Sequence, residues 1–216
     1  MCDIRYIKYH KHNFHLNQWI TGCIFIIFST MASAATTPDH SHHQHMMKNS
    51  TGYTSKSEYY ELPDITLLKS NGENISLKDL FNGNEPVILN FIFTSCTAIC
   101  PIMSGTFSQV NNQLNKQKEK IRMVSISIDP EYDTPQKLEA YAKKFNANSD
   151  WIFLTGNLKE IISIQKAFNA YRGKKMNHAP TTFIRTSNST SWIRLDGFAS
   201  SSEIITEYKK LNNSKI

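Results

Sequence analysis

Two periodicities divide most of the chain between them. Residues 86–93, Pro-Val-Ile-Leu-Asn-Phe-Ile-Phe, form a nearly unbroken apolar run, as expected of a strand covered on both faces. Residues 121–128 repeat that pattern with more β-branched side chains and stop at Asp129-Pro130; residues 151–154 form a third, shorter apolar run. Between these runs the apolar positions fall at helical spacing. Phe107, Val110 and Leu114 mark a helix that begins near residue 102 and reaches about residue 120. Leu138, Tyr141, Ala142 and Phe145 mark the next, with Asp133 or Thr134 as its cap and Pro135 in its first turn. A further helix is predicted over residues 158–171 and a last one from Ser201 or Ser202 to about residue 211.

Outside this alternation the pattern predicts hairpins. Residues 62–68, with Pro63 near the start, read as a strand; Asn71-Gly72 is a turn signal, and Ile75-Ser76-Leu77 returns beside it, leading into a short helical turn to residue 81. Residues 181–185 and 191–195 form a second hairpin. The sum is an α/β domain over residues 61–212, a central mixed sheet flanked by helices with an N-terminal β-hairpin, followed by a tail at 213–216.

Residues 1–60 follow other rules. Arg5, Lys8 and Lys11 precede an apolar stretch at 19–28, and Ala32-Ser33-Ala34 supplies small residues suited to cleavage. Residues 1–34 are expected to be a signal peptide cleaved after Ala34, with an N-terminal membrane anchor as the alternative. Either way the domain is expected to be periplasmic or anchored to the cytoplasmic membrane facing the periplasm. Cys23 precedes the apolar run instead of following it, which argues against lipidation there. Residues 35–60 hold too little apolar surface to offset ordering entropy and read as a disordered linker. Within it, His40, His42, His43, His45, Met46 and Met47 form a cluster suited to copper as an accessory site, or a solvated tract of a tether.

Composition narrows the function classes. With 216 residues and 40% hydrophobic content, the chain has material for one ordinary domain plus a tail. Its formal charge of +6 is dispersed, without a basic stripe interleaved with aromatics, so nucleic acid is not expected as a partner. Of four cysteines, Cys2 and Cys23 fall in the leader, leaving Cys96 and Cys100. In an oxidising compartment such a pair oxidises unless a thiol reductant or a metal protects it.

That pair stands between the apolar run and the helix after it, in Cys96-Thr97-Ala98-Ile99-Cys100-Pro101. Spacing of four on a first helical turn lets two sulfurs bond to each other or share one soft metal ion, and the helix start favours thiolate. His178, in the basic loop before the second hairpin, is the candidate third donor if that loop lies across the same end of the sheet. Met103 and Met176 are thioethers placed to assist transfer, while Arg172, Lys174 and Lys175 are candidates for steering an acidic partner.

Taken together, Phe91-Ile92-Phe93-Thr94-Ser95-Cys96-Thr97-Ala98-Ile99-Cys100-Pro101, then Ser127-Ile128-Asp129-Pro130-Glu131-Tyr132-Asp133-Thr134-Pro135, then the isolated His178 resemble the Sco/SenC family over residues 60–212. The resemblance implies a thioredoxin-like fold and a copper chaperone for cytochrome c oxidase assembly. Cys96, Cys100 and His178 match the family's copper ligands, and the copper-bearing oxidase subunit is the implied recipient. A monomer is expected. Two positions depart from the family: Thr97 stands where many members have proline, and Asn177 where an acidic residue often precedes the histidine. Pro180-Thr181-Thr182-Phe183 resembles the proline-led strand facing the thiols of thioredoxins, which predicts a cis Ala179–Pro180 bond.

The alternative activity is a thiol–disulfide reductase that keeps a partner's metal-binding cysteines reduced, with Cys96 attacking and Cys100 resolving. A peroxiredoxin is disfavoured, because Leu89 and Phe93 occupy that family's proline and threonine positions. A closed structural zinc site is one ligand short.

Overall fold

A computed structural model of the chain describes residues 52–81 and 85–213. Among them the elements run β1 (Tyr53–Tyr59), β2 (Thr66–Lys69), β3 (Asn74–Ser76), α1 (Leu77–Phe81), β4 (Val87–Ile92), α2 (Ile99–Lys116), β5 (Arg122–Ser127), α3 (Pro135–Lys144), β6 (Trp151–Thr155), α4 (Leu158–Ala167), β7 (Thr181–Arg185), β8 (Ser191–Gly197) and α5 (Ser201–Asn213). The described strands form one sheet in the order β1-β8-β7-β4-β5-β6-β2-β3.

The longest apolar run takes the centre of that sheet. Every residue of β4 is buried, and the strand lies parallel to β5 and antiparallel to β7. Helices cover both faces. Phe107, Val110 and Leu114 of α2 are buried, as are Ile161 and Ile164 of α4, and Phe168 just past α4 packs its ring against Phe91 and Phe183. With β4, β5 and β6 parallel, the carboxyl ends of β4 and β5 open on the same side, where the crossover connections leave room for a site. The antiparallel β7 brings the start of its own strand to that end.

Three predicted boundaries are corrected. The first strand is confined to Thr66–Lys69; its pairing with β3 ends in a last bond from the Leu77 N–H to the Ile65 carbonyl at 2.9 Å, where the partner chain turns into α1. The helix at 158–171 stops at Ala167, and Asn169 turns the chain with φ 51°. The third correction concerns residues 53–59, expected to be linker: they form the edge strand β1, paired along its whole length with β8. Its side chains are mostly exposed, so ladder hydrogen bonds and not apolar burial hold it, and a hydropathy pattern has nothing to register. Gly197 makes the close approach possible; at φ +114° a Cβ there would lie 2.4 Å from the Gly52 carbonyl oxygen.

The expected leader at 1–34, the cluster His40, His42, His43, His45, Met46 and Met47, and the tail beyond residue 213 lie outside the described residues. Among the described residues no helix is long and apolar enough to cross a membrane.

Candidate metal centre

Past Ile92 the chain turns tightly, the Cys96 N–H donating to the Phe93 carbonyl at 3.1 Å, and α2 begins three residues later. Pro101 sits in the first turn of α2, where a missing N–H costs nothing. Ala98, at the cap position, has no side chain able to accept from the helix's free N–H groups. The Cys96 sulfur takes that role, with the Cys100 N–H pointing at it from 3.5 Å. Both thiols are free.

The two sulfurs face opposite conditions. Partial burial works to raise the Cys96 pKa, but the N–H groups of Cys100, Ala98 and Ile99 and the neighbouring thiol outweigh it and hold Cys96 below its ordinary value. Cys100 is wholly buried; burial, reinforced by the charges of Cys96 and Asp133, pushes its thiol up to about 12.

His178 reaches the same end of the sheet from the other side. The β4–β7 ladder stops at Asn90–Thr182, and Pro180, lacking an N–H, cannot extend it. The Phe91 carbonyl beyond the break is taken by the His178 ring, Nε2 to oxygen 2.9 Å. A carbonyl only accepts, so Nε2 carries the hydrogen and the neutral ring keeps its lone pair on Nδ1. Burial lowers the His178 pKa, helped by the Arg172 charge and opposed by the Phe91 bond, so the ring is neutral over a wider range than an exposed imidazole.

The loop that carries His178 is short of internal support. Gly173, at φ +76°, turns it, and Lys175–Asn177 form one 3₁₀ turn. Lys175 crosses to Asp129 at the end of β5, Nζ to Oδ2 2.5 Å, and its ammonium lies 5.7 Å from the centre of the Phe93 ring. On its other side the loop and His178 border a cavity of about 60 Å³ against α4.

The turn between β5 and α3 ties the two halves together. Asp133 is fully buried and accepts from the Thr94 N–H at 3.1 Å, from the Thr94 hydroxyl, and from Ser127 Oγ at 2.6 Å. Ser127 Oγ in turn accepts from the Asp129 N–H at 3.0 Å. Thr94 lies two residues before Cys96, so a single carboxylate fixes the strand end from which the thiols hang.

The sequence reading placed the donors at one end of one sheet, and all three are there. They are not closed into a ligand set: among the described residues no three His, Cys, Asp or Glu side chains stand near enough to hold one metal ion. The physical reason is visible in the Phe91 bond, which occupies the His178 ring upstream of the thiols. Met103 is a buried core residue, whereas Met176 is 77% exposed on the histidine loop. Arg172 donates to the Asn169 and Tyr171 carbonyls of its own segment, Lys175 is paired, and Asn177 bonds the Arg172 carbonyl at 3.5 Å. Asp129, Asp133, Thr94 and Phe91 join the site only in the structure, through hydrogen bonds and an ion pair that the sequence pattern does not signal. The sequence offers Asp133 or Thr134 as the cap of α3; with Pro135 at the first helical position, Thr134 caps, accepting from the Lys137 N–H at 3.4 Å, and Asp133 turns inward.

A family model described as SCO1/SenC matches residues 54–212. Among curated proteins, the SCO1 protein homolog of Bacillus subtilis is 36% identical over 98 residues, which is 45% of this chain and 50% of the relative. The SCO2-like protein RC0895 of Rickettsia conorii is 39% identical over 108 residues, 50% of this chain and 51% of that one. The chain therefore matches about half the length of these relatives. Among solved structures, BsSco, described as a member of the Sco family of cytochrome c oxidase assembly proteins with a disulfide switch, gives a TM-score of 0.61 at 26% identity, covering 70% of this chain and 92% of that one. Yeast Sco1 with copper bound gives 0.62 at 19% identity, over 74% and 96%, a likeness of fold alone.

Proposed function

The chain belongs to the SCO1/SenC family, and from that premise we propose that it is an exported copper-binding protein that hands copper to a respiratory copper enzyme such as cytochrome c oxidase. Cys96 and Cys100 supply two thiolates and His178 one imidazole. The observation that carries this reading is the His178–Phe91 bond. It brings the neutral His178 ring to the sheet end that carries two sulfurs at a helix start, the ring leaving Phe91 as it turns to the metal, and two soft donors with one imidazole suit copper.

Each residue then has a task. Cys96, partly exposed and with a lowered pKa, makes the first contact. Cys100 must release its proton as copper arrives, so affinity falls by about tenfold per pH unit for each proton displaced as the solution becomes more acidic. His178 closes the set when its loop rearranges toward the sulfurs. Exchange with an external disulfide would pass two electrons and two protons from the pair to that disulfide and leave Cys96–Cys100 bonded without either sulfur donor, which couples loading to the redox state. The copper-bearing oxidase subunit and a thiol reductant are the partners this scheme requires, the protein acting as a monomer on the periplasmic side. Its N-terminal basic-then-apolar pattern supports that location.

One observation favours a second activity. A partly exposed, low-pKa Cys96 before a buried Cys100 is the pairing expected of an attacking and a resolving thiol. In that reading Cys96 attacks a partner disulfide, Cys100 displaces the partner from the mixed disulfide, and the partner leaves with two thiols. An external thiol reductant then resets the chain.

Anaerobic copper titration of the full chain separates the two. One tightly bound copper per chain is expected, lost in Cys96→Ser and Cys100→Ser and strongly weakened in His178→Ala, while His178→Ala retains thiol exchange. A parallel variant replacing His40, His42, His43 and His45 separates any copper held by that cluster. Unchanged copper affinity in His178→Ala would remove the three-donor reading.

A further inference from the structure

The contact between Lys175 and Asp129 lies outside the donor set, yet it joins the histidine loop to the body of the site. Residues 172–177 are all exposed, and Arg172 and Asn177 bond only within their own segment. Lys175 carries its side chain across to the ends of β5 and β4, to Asp129 and over Phe93. Asp129 is an effective anchor for a physical reason. Its carboxylate side chain is only 12% exposed, and its backbone is fixed from within: the N–H donates to Ser127 Oγ, and the carbonyl accepts from the Tyr132 N–H at 3.0 Å and the Asp133 N–H at 2.8 Å. Ser127 Oγ also donates to the carboxylate of Asp133, which holds Thr94 and hence the strand end before Cys96.

A continuous path therefore runs from Thr94 through Asp133, Ser127 and Asp129 to Lys175, with Cys96 two residues from one end and His178 three residues from the other. We propose that Asp129 and Lys175 are positioning residues for copper capture: their ion pair docks the histidine loop on the β5–α3 turn, in register with the thiols. The inference rests on the three-donor reading above. With the pair intact, His178 needs only a local rearrangement to leave Phe91 for the sulfurs. Without it, the loop must be ordered from many conformations at the moment of binding, and that ordering cost is subtracted from affinity. Neither residue touches copper, so removing either weakens capture without removing a donor.

The test uses the full chain as Asp129→Asn, Lys175→Gln and the exchanged pair Asp129→Lys with Lys175→Asp, read in two ways. The first is nitrogen NMR of the His178 ring in metal-free protein, where Nε2–H bonded to Phe91 gives one fixed tautomer. The second is anaerobic Cu(I) affinity by competition with a chelator. Each single variant is expected to average the ring over both tautomers and to weaken copper by about fivefold, the order of a partly exposed ion pair. The exchanged pair is expected to recover much of both signals. A fixed tautomer with unchanged or tighter copper binding in Lys175→Gln overturns the proposal. So does an exchanged pair as defective as the single variants while its thermal unfolding matches wild type. Wild-type protein that binds no copper at this site would sink the functional reading instead, and the ring tautomers would still decide whether the latch exists.

Discussion

At the scale of single residues, two sulfurs four positions apart sit in unlike surroundings. Cys96 looks into the free N–H groups at the start of α2, while Cys100 points into the core. Alkylation against pH, followed by mass spectrometry, is expected to show Cys96 reacting with a midpoint below that of an ordinary thiol. Cys100 is expected to stay unmodified until about pH 12 or until the chain unfolds. Equal rates at the two positions near neutral pH would contradict the assignment. Spacing and context single out Cys96, Cys100 and His178 in the sequence as candidates, because cysteines are few and the histidine stands alone before a strand. The direction of each shift was not legible, since it depends on which sulfur faces the helix start. Nor was the free ring nitrogen, which follows from a carbonyl left over where one ladder ends.

Elements, not side chains, decide whether those residues meet. The buried carboxylate of Asp133 replaces solvent for the Thr94 end of β4, and its three donors come from two different segments. Ser127→Ala removes one of them in a site closed to water, leaving the charge short of a partner. A loss of about 1.5–3 kcal/mol is expected by urea unfolding at pH 7, together with faster hydrogen exchange at Thr94. A variant as stable as wild type would mean the carboxylate is satisfied in another way. The sequence signalled α3 and its cap, yet Asp133 and Thr134 look equally suited to capping when read alone. Which of them turns inward is settled by Pro135, whose position at the first helical residue puts Thr134 at the cap.

For the whole molecule, the apolar pattern recovered the central strands and all the main helices, since these are where burial is greatest. It missed β1, whose residues Ser55, Lys56 and Ser57 are exposed and whose contribution is a row of backbone bonds along β8. That miss has a measurable consequence. A chain beginning at residue 61, the boundary the hydropathy pattern marks, strips the partner from β8 and opens a new sheet edge. Compared with a chain beginning at residue 52, it is expected to melt at a lower temperature and to associate as concentration rises, by calorimetry and sedimentation. Equal melting with no association would show that β1 is dispensable.

The break in the β4–β7 ladder reaches beyond the finished protein. Because the thiols follow β4 while the imidazole precedes β7, a growing chain has both sulfurs long before His178 is seated. On the three-donor reading proposed above, secure capture of copper waits until β7 has docked beside β4, so loading would report that this pair of strands has formed.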